Sequence, residues 1–415
     1  MLKIDDYLSK AMKRLMTQLL NLPGVIVENS LETESTIILS VRATNKTAVC
    51  PRCGQKSHRL HQNKRHLVKD LPISNRAVIL SVNRRQFKCG FCQKPFSEIL
   101  DFVEHKKTFT KRLALNITEQ VIHSDISNVA KNNRLTPEQV ESMVKVVAES
   151  VITVDVRELR RLGIDEISLV KGQGRFIVVL VDLETHKLLG LVSERKQSCI
   201  EKILLRWGEE VLTKIEEVSM DMSGSYKSLV KKILPNAVVT VDKFHVTKMI
   251  HEELNQARID QKKAAESLKI EEKTKLLDSL KSSKYILLKA ESNLSEEQKA
   301  KLLQVQSDSP LVKIMHSLKE EFHALFEKCN LSAGILELSD WLKKAEPYYK
   351  KSVNTIKRWF AEVVGYFEQR TNNGMVEGIN NKLKLLKRSG FGFRNFKNFE
   401  MRALLLWHFP KNLAY

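Results

Sequence analysis

The chain has 415 residues, 42% of them hydrophobic, and carries 69 Lys and Arg against 49 Asp and Glu for a net charge of +20. At about 150 residues per domain that length spans two to four domains, and the apolar content excludes a mostly disordered chain. The longest apolar runs, near Phe176–Val181 and Ala403–Trp407, fall far short of the ~18 residues of a membrane helix.

The first 20 residues are an amphipathic pattern (Leu8, Met12, Leu15, Met16, Leu19) interrupted by Lys10, Lys13 and Arg14. They lack the continuous apolar core of a signal peptide, so a cytoplasmic location is expected. So basic a chain points to a polyanionic partner. The charge is uneven: residues 1–110 hold 19 basic and 9 acidic side chains, and residues 371–415 hold 8 and 2.

Residues 1–107 read as a zinc-binding module. Four cysteines lie in two CxxC pairs, Cys50/Cys53 and Cys89/Cys92, with 35 residues between the pairs. Two such knuckles place four thiolates around one tetrahedral Zn²⁺, a closed structural site. A reducing cytosol disfavours disulfides, and a redox reading needs a single CxxC in a βαβ context. The alternation at 77–87 predicts a hairpin strand between the knuckles. Arg65, Arg84 and Arg85 make the module a candidate phosphate-contacting surface. Cys199 and Cys329 are isolated and expected as buried thiols.

Residues 108–154 read as a helix-turn-helix. A helix over 110–122 with Leu113, Ile117 and Val121 on one face is followed by a short one over 126–133. Thr136-Pro137-Glu138-Gln139 is then a strong helix start, with Thr as N-cap, Pro at the first position and Gln three residues after the cap. Val140, Met143, Val144 and Val147 form its buried stripe. The last helix of such a motif enters the major groove, and Gln139, Ser142 and Lys145 face outward early in it. A plain three-helix spacer is the competing reading.

From Gly163 the pattern changes to strands, at 164–167, 175–182 and 187–193, the last two a hairpin. A helix at 199–209, a strand at 218–221, a helix at 226–233 and a strand at 237–242 follow. Three antiparallel strands followed by a βαβ alternation is the element order of a ribonuclease-H-like fold. Asp165 sits on the first strand, Asp221 at the end of the fourth and Asp242 at the end of the fifth. Carboxylates clustered at strand ends suit Mg²⁺ or Mn²⁺, whereas single strand-end Asp residues also serve only to cap turns.

Several motifs are more specific: Gly163-Ile-Asp-Glu, Val218-Ser-Met-Asp-Met, Leu234-Pro-Asn-Ala, Val241-Asp-Lys-Phe-His-Val and Asn373-Gly-Met-Val-Glu-Gly-Ile-Asn-Asn-Lys-Leu-Lys. With the tail Lys387-Arg-Ser-Gly-Phe-Gly-Phe-Arg-Asn-Phe, they resemble the bacterial insertion-sequence transposases of the ISL-three family. The resemblance runs from Leu20 to Phe409 and takes in the CPRCG knuckle and the helix-turn-helix.

The resemblance implies a DDE transposase whose three carboxylates, matching Asp165, Asp221 and Glu377, hold two Mg²⁺ or Mn²⁺ ions. Asp242 is the rival for the second position, and otherwise Asp242 and His245 stand beside the metal ligands or contact DNA. The implied architecture is multidomain: a zinc ribbon-like module (1–107), an all-α helix-turn-helix (108–154), and an α/β ribonuclease-H-like catalytic domain (155–246). An all-α insertion (247–370) interrupts that domain before its last helix and basic tail (371–415).

The implied activity is binding of terminal inverted repeats, metal-dependent cleavage and 3′-hydroxyl strand transfer, in a nucleoid-associated homodimer with no small-molecule substrate. Lys384 follows Glu377 by two helical turns with Asn381 between them, and Lys387 and Arg388 extend this basic stripe toward DNA. Competing readings are a noncatalytic DNA-binding regulator derived from a transposase and a metal-dependent nuclease without strand transfer.

Overall fold

Apolar residues at alternate positions, as in Ile37, Leu39 and Val41 or Val78, Leu80 and Val82, build the first sheet of the chain. In the computed structural model the described residues are 2–104, 106–170, 175–328, 330–369, 374–390, 393 and 395–410. They form two units, residues 1–153 with 389–415, and residues 154–388. No helix among the described residues is long and apolar enough to cross a membrane.

The first unit opens with helix α1 (Leu2–Leu20) and strands β1 (Val25–Glu32), β2 (Thr36–Ala43), β3 (Ala48–Val49) and β4 (Lys56–Ser57). Two long strands follow, β5 (Leu60–Ile73) and β6 (Arg76–Lys88), then β7 (Pro95–Ser97). The sheet order is β1-β2-β6-β5, with β7 beside β6. β5 and β6 form the expected hairpin, turned at Ser74 and Asn75, whose φ values of 49° and 61° match the two left-handed positions of a type I′ turn. The inner face packs on Leu20 and Leu22.

Helices α2 (Lys111–His123), α3 (Ile126–Asn132) and α4 (Pro137–Val151) begin at side-chain caps, Thr110, Asp125 and Thr136. Thr136 and Gln139 make a reciprocal capping box, and Val140, Met143, Val144 and Val147 are buried as the periodicity predicts. Asp70, buried on β5, accepts from Thr110 Oγ1 at 2.7 Å and from Arg112 Nε at 2.8 Å, tying the sheet to α2.

The second unit holds a five-stranded sheet of order β10-β9-β8-β11-β12. β8 (Arg161–Val170), β9 (Arg175–Asp182) and β10 (Lys187–Val192) are antiparallel. β11 (Glu217–Met220) runs parallel to both β8 and β12 (Val238–Val241). The helix expected at 199–209 is two, α5 (Gln197–Leu205) and α6 (Glu209–Lys214), because Gly208 turns the chain at φ 88°. Helix α7 (Gly224–Ile233) links β11 to β12, and α8 (Lys243–Ala264) leaves β12 for the insertion.

The insertion is all-helical among the described residues: α9 (Ile270–Leu280), α10 (Lys284–Leu288), α11 (Glu296–Asp308), α12 (Pro310–Lys328), α13 (Leu331–Ala345), α14 (Lys350–Arg358) and α15 (Phe360–Gln369). Trp341 and Trp359 are core, as expected, while Phe360 is half-buried. One apolar cluster runs from Leu162 and Val218 of the sheet to Phe322, Trp341 and Phe367 of the insertion. The insertion therefore shares the core of the sheet rather than forming its own. Its helices pack closely: a methyl group at Gly334 would meet the Phe367 ring at 2.5 Å.

Helix α16 (Gly374–Ser389) returns to the sheet. The final helix, α17 (Phe396–His408), packs within the first unit. Leu405 lies in the α2–α4 core, and Arg402 donates to the Val121 and Ser124 carbonyls at 2.8 and 2.6 Å. Those carbonyls are at the C-terminal end of α2, where a guanidinium satisfies acceptors that the helix leaves open. Cys199 is half-buried rather than buried, and Cys329 lies outside the described residues, as does part of the tail motif at 387–396.

Candidate active site and zinc centre

Among the described residues, Cys50, Cys53, Cys89 and Cys92 are the one group of three or more Cys, His, Asp or Glu whose ligand atoms all lie within 4.8 Å of one another. Cys50 and Cys92 sulfurs are 3.7 Å apart, and those of Cys53 and Cys89 3.4 Å. A tetrahedron with metal–sulfur bonds of about 2.3 Å has edges of about 3.8 Å, so this donor set fits Zn²⁺.

The two knuckles are built alike. The residue after each second cysteine, Gly54 or Gln93, is left-handed, at φ 72° and 59°. Each turn closes on its own first cysteine, with Cys50 N donating to Gln55 O and Cys89 N to Lys94 O. Backbone amides of Arg52 and of Cys92 hold the Cys50 and Cys89 thiols below their ordinary range, while Cys53, despite the Gln55 amide, is pushed up to about 11 by burial and by the neighbouring Cys89 and Cys50 sulfurs.

The second centre is set by strand register. β8 and β11 pair Ile164 with Met220, and β11 and β12 pair Met220 with Val241. The next residue on each is an aspartate, so Asp165, within β8, stands level with Asp221 and Asp242, which directly follow the ends of β11 and β12. Helix α16 lies over this row with Val376 packed by Gly163, where a methyl would stand 3.5 Å from Val376 Cγ2, an ordinary packing distance. Val376 brings Glu377 with it. A cleft of about 500 Å³ is lined by Asp165, Asp242, His245, Glu377, Asn380 and Lys384, among others. Asp221 does not line it.

The carboxylates differ in their surroundings. Asp165 Oδ1 accepts from Glu166 N at 2.7 Å, and Oδ2 from Asn380 Nδ2 at 2.6 Å. Burial pushes its carboxyl above the usual range. Asp221 Oδ1 accepts from Met222 N at 2.6 Å. Asp242 is the N-cap of α8, accepting from Phe244 N at 2.9 Å, and its other oxygen is 3.3 Å from His245 Nδ1. Burial opposes charge on His245, yet Asp242, Asp221 and Asp165 together hold its pKa above the ordinary value.

So concentrated a negative potential, built from hard oxygen donors, suits divalent cations. A pair of ions about 3.5–4 Å apart takes carboxylates spread more widely than one tetrahedral ion does.

Several residues here were not singled out from sequence. Asn380, not Asn381, faces Asp165; Asn381 is exposed and does not line the cleft. Lys384 lines it, while Lys387 donates to Ser168 O at 3.1 Å and Arg388 to Lys384 O at 3.3 Å. Glu166 also lines it and accepts from Tyr226 OH at 2.5 Å.

The residues expected at DNA are spread over the first unit. Arg65 is exposed on β5, and Lys64 beside it pairs across the ladder with Arg84. Residues 58–65 are exposed throughout, and no acidic residue occurs between Lys56 and Lys69. Arg85 is committed to Glu98, at 2.5 Å. On α4, Lys145 is exposed; Gln139 accepts from Lys69 at 2.9 Å and Ser142 from Lys107 at 3.1 Å.

Comparison with known proteins matches two stretches of the chain. A family model described as a zinc-finger of the IS204, IS1001, IS1096 and IS1165 transposases matches residues 46–92, and an ISL3-type DDE model described as a transposase matches residues 162–403. The chain is 26% identical over 374 residues to the transposase for insertion sequence element IS1001 of Bordetella parapertussis, covering 88% of this chain and 90% of that one. It is also 26% identical over 260 residues to the transposase for insertion sequence element IS1557 of Mycobacterium tuberculosis, 57% of each chain.

Proposed function

The chain belongs to the ISL3-type DDE transposase family, and on that premise we propose that it cuts and joins DNA at the ends of an insertion sequence, using Asp165, Asp221 and Glu377. The observation that carries this reading is the register that sets Asp165 level with Asp221, together with the seating of α16 over Gly163 that brings Glu377 to the same cleft. We read the sheet as ribonuclease-H-like. Asp221 is preferred to Asp242 because Asp242 already caps α8 and faces His245.

Two divalent cations, Mg²⁺ or Mn²⁺, supply charge neutralisation at the phosphoryl oxygens when bound between these carboxylates. The chain's own groups place and orient the DNA. Lys384, two turns beyond Glu377, lines the same cleft, which supports assigning it to a phosphate beside the scissile bond. The chemistry is two substitutions at phosphorus. In the first, water adds to the phosphodiester and the 3′ oxygen leaves as a hydroxyl. In the second, that hydroxyl displaces a 3′ oxygen of target DNA, so one phosphodiester replaces another and no external energy source is required.

DNA recognition is assigned to the first unit, with α2–α4 as a helix-turn-helix. Lys69 and Lys107 donate to Gln139 and Ser142 and add positive charge along α4. The β5–β6 ribbon adds a basic edge. Lys64 opposite Arg84 is a like-charge pair that costs stability in the free protein and gains it against phosphates. Binding as a homodimer on paired ends belongs to the same reading.

The test is incubation with Mg²⁺ and a labelled fragment bearing the element's end. Nicking and strand transfer, both abolished by Asp165→Ala and by Glu377→Ala, are expected. Cleavage that survives either substitution sinks the site assignment. Cleavage without joining makes the protein a nuclease, and binding without cleavage makes it a regulator.

A further inference from the structure

The carboxylate cleft contains a polar group that the reaction above leaves unused. Asn380 is 5% exposed, lies one turn after Glu377 on α16, and lines the cleft with Asp165, Glu377 and Lys384. Its Nδ2 donates to Asp165 Oδ2 at 2.6 Å, and its Oδ1 is buried with no hydrogen-bond partner. Buried amide oxygens are almost always paired, so an unpaired one on a side chain that lines a cleft marks a place where something else is received.

We infer that Asn380 is a positioning residue that fixes the Asp165 carboxylate for a divalent cation and offers its Oδ1 to a water carried by that cation. This rests on the function proposed above.

The chemistry of the side chain supports the assignment. Asp165, Asp221, Asp242 and Glu377 already concentrate negative charge at this end of the sheet. A fifth carboxylate at position 380 repels Asp165, and a lysine there neutralises it and competes with the cation. An amide donates a hydrogen bond without changing the charge, so Asp165 keeps its full negative charge for the metal. The bond also ties β8 to α16 at the turn that carries Glu377, so the distance between the two proposed ligands depends on it. Asn381, next in sequence, is exposed and makes no such link.

Removing a group that orients a metal ligand typically weakens metal binding by about 10- to 100-fold. The experiment titrates the intact protein, without DNA, with Mn²⁺ by calorimetry, and separately measures the Mg²⁺ concentration giving half-maximal DNA cleavage. Asn380→Ala is expected to weaken Mn²⁺ binding at least tenfold and to raise the Mg²⁺ requirement similarly, with much of the activity recovered at saturating Mg²⁺. Asn380→Asp, of the same size but without the donor, is expected to do no better. Unaltered thermal melting of both variants shows that folding is retained.

Unchanged Mn²⁺ affinity and Mg²⁺ dependence in Asn380→Ala overturn the inference, as does Asn380→Asp binding Mn²⁺ as tightly as the parent. Asp165→Asn separates the two levels. If it abolishes Mn²⁺ binding while Asn380→Ala does nothing, only the role of Asn380 fails. If Mn²⁺ binding ignores Asp165, the proposed site fails and this inference with it.

Discussion

Gly163 lies against Val376: a methyl group on Gly163 would stand 3.5 Å from Val376 Cγ2 and 2.8 Å from Leu183 Cδ2. Val376 precedes Glu377 on α16, so crowding at Gly163 bears on the position of Glu377. Gly163→Ala meets mainly the flexible end of Leu183, which can swing, and cleavage should fall by less than about tenfold. Gly163→Val also presses on Val376. Overpacking of about 1–3 kcal/mol that displaces α16 lowers the melting temperature by several degrees and cleavage by roughly ten- to hundredfold. Equal activity of the parent and the valine variant would show that α16 is held from elsewhere.

This contact marks the boundary of what could be read from sequence. Helix starts were legible because capping is local: Thr136, Pro137 and Gln139 announce α4 within four residues. The level row of aspartates was half legible. Strand ends could be placed, but the pairing of Met220 with both Ile164 and Val241 is a property of the sheet. Asn380 and Asn381 lie three and four residues after Glu377, equally good helical spacings, and only the roll of α16 on β8 decides between them. The packing of α17 was hidden for a similar reason. An apolar periodic helix states that it is buried, not against what, and the buried Arg402 finds its partners only at the distant end of α2.

The zinc centre has too little core to stand without metal. Its buried apolar cluster is Cys50, Phe87, Cys89 and Phe96, with the two rings stacked at 6.1 Å. Structural zinc contributes on the order of 10 kcal/mol in small modules. Purified protein should contain one zinc per chain, and Cys89→Ala close to none. Limited proteolysis after chelation should then cut within residues 46–97 while the 154–388 unit stays intact. A chelated protein that resists protease in the knuckles would count against a structural role.

Asp70 makes the strongest link between the first sheet and the helices that follow it. Its side chain is fully buried, and Arg112, besides pairing with it, donates to Leu20 O at 2.8 Å and to Asn21 O at 3.1 Å. Removing one partner of such a pair leaves an uncompensated charge, and Asp70→Ala should destabilise the first unit by about 3–5 kcal/mol. Asp70→Leu combined with Arg112→Met should be much less harmful than Asp70→Ala alone, because no orphaned charge remains. Urea unfolding of the parent and the two variants checks this, and a double variant as unstable as Asp70→Ala would contradict it.

Acid should loosen the insertion, and His316 shows why. It is 1% exposed on α12, its Nε2 has no hydrogen-bond partner, and Gln306 stands at 3.4 Å from Nδ1. Burial, with the Lys319 charge added, pushes its pKa down to about 4, and Glu320 opposes this only weakly. The unfolded chain takes up a proton as pH falls through about 6.5, whereas the folded protein refuses it until about 4. Stability from this residue is therefore full above pH 6.5 and is lost progressively between pH 6.5 and 4, by on the order of 3 kcal/mol in total. His251, facing His323 with ring nitrogens 3.2 Å apart, is also pushed down to about 4 by burial and by that neighbour, and works in the same direction. Melting followed by circular dichroism at pH 7.5 and pH 5 should show a smaller drop in His316→Leu than in the parent. Leucine fills similar space and has no proton to gain, so an equal drop in the two proteins would place the acid sensitivity elsewhere.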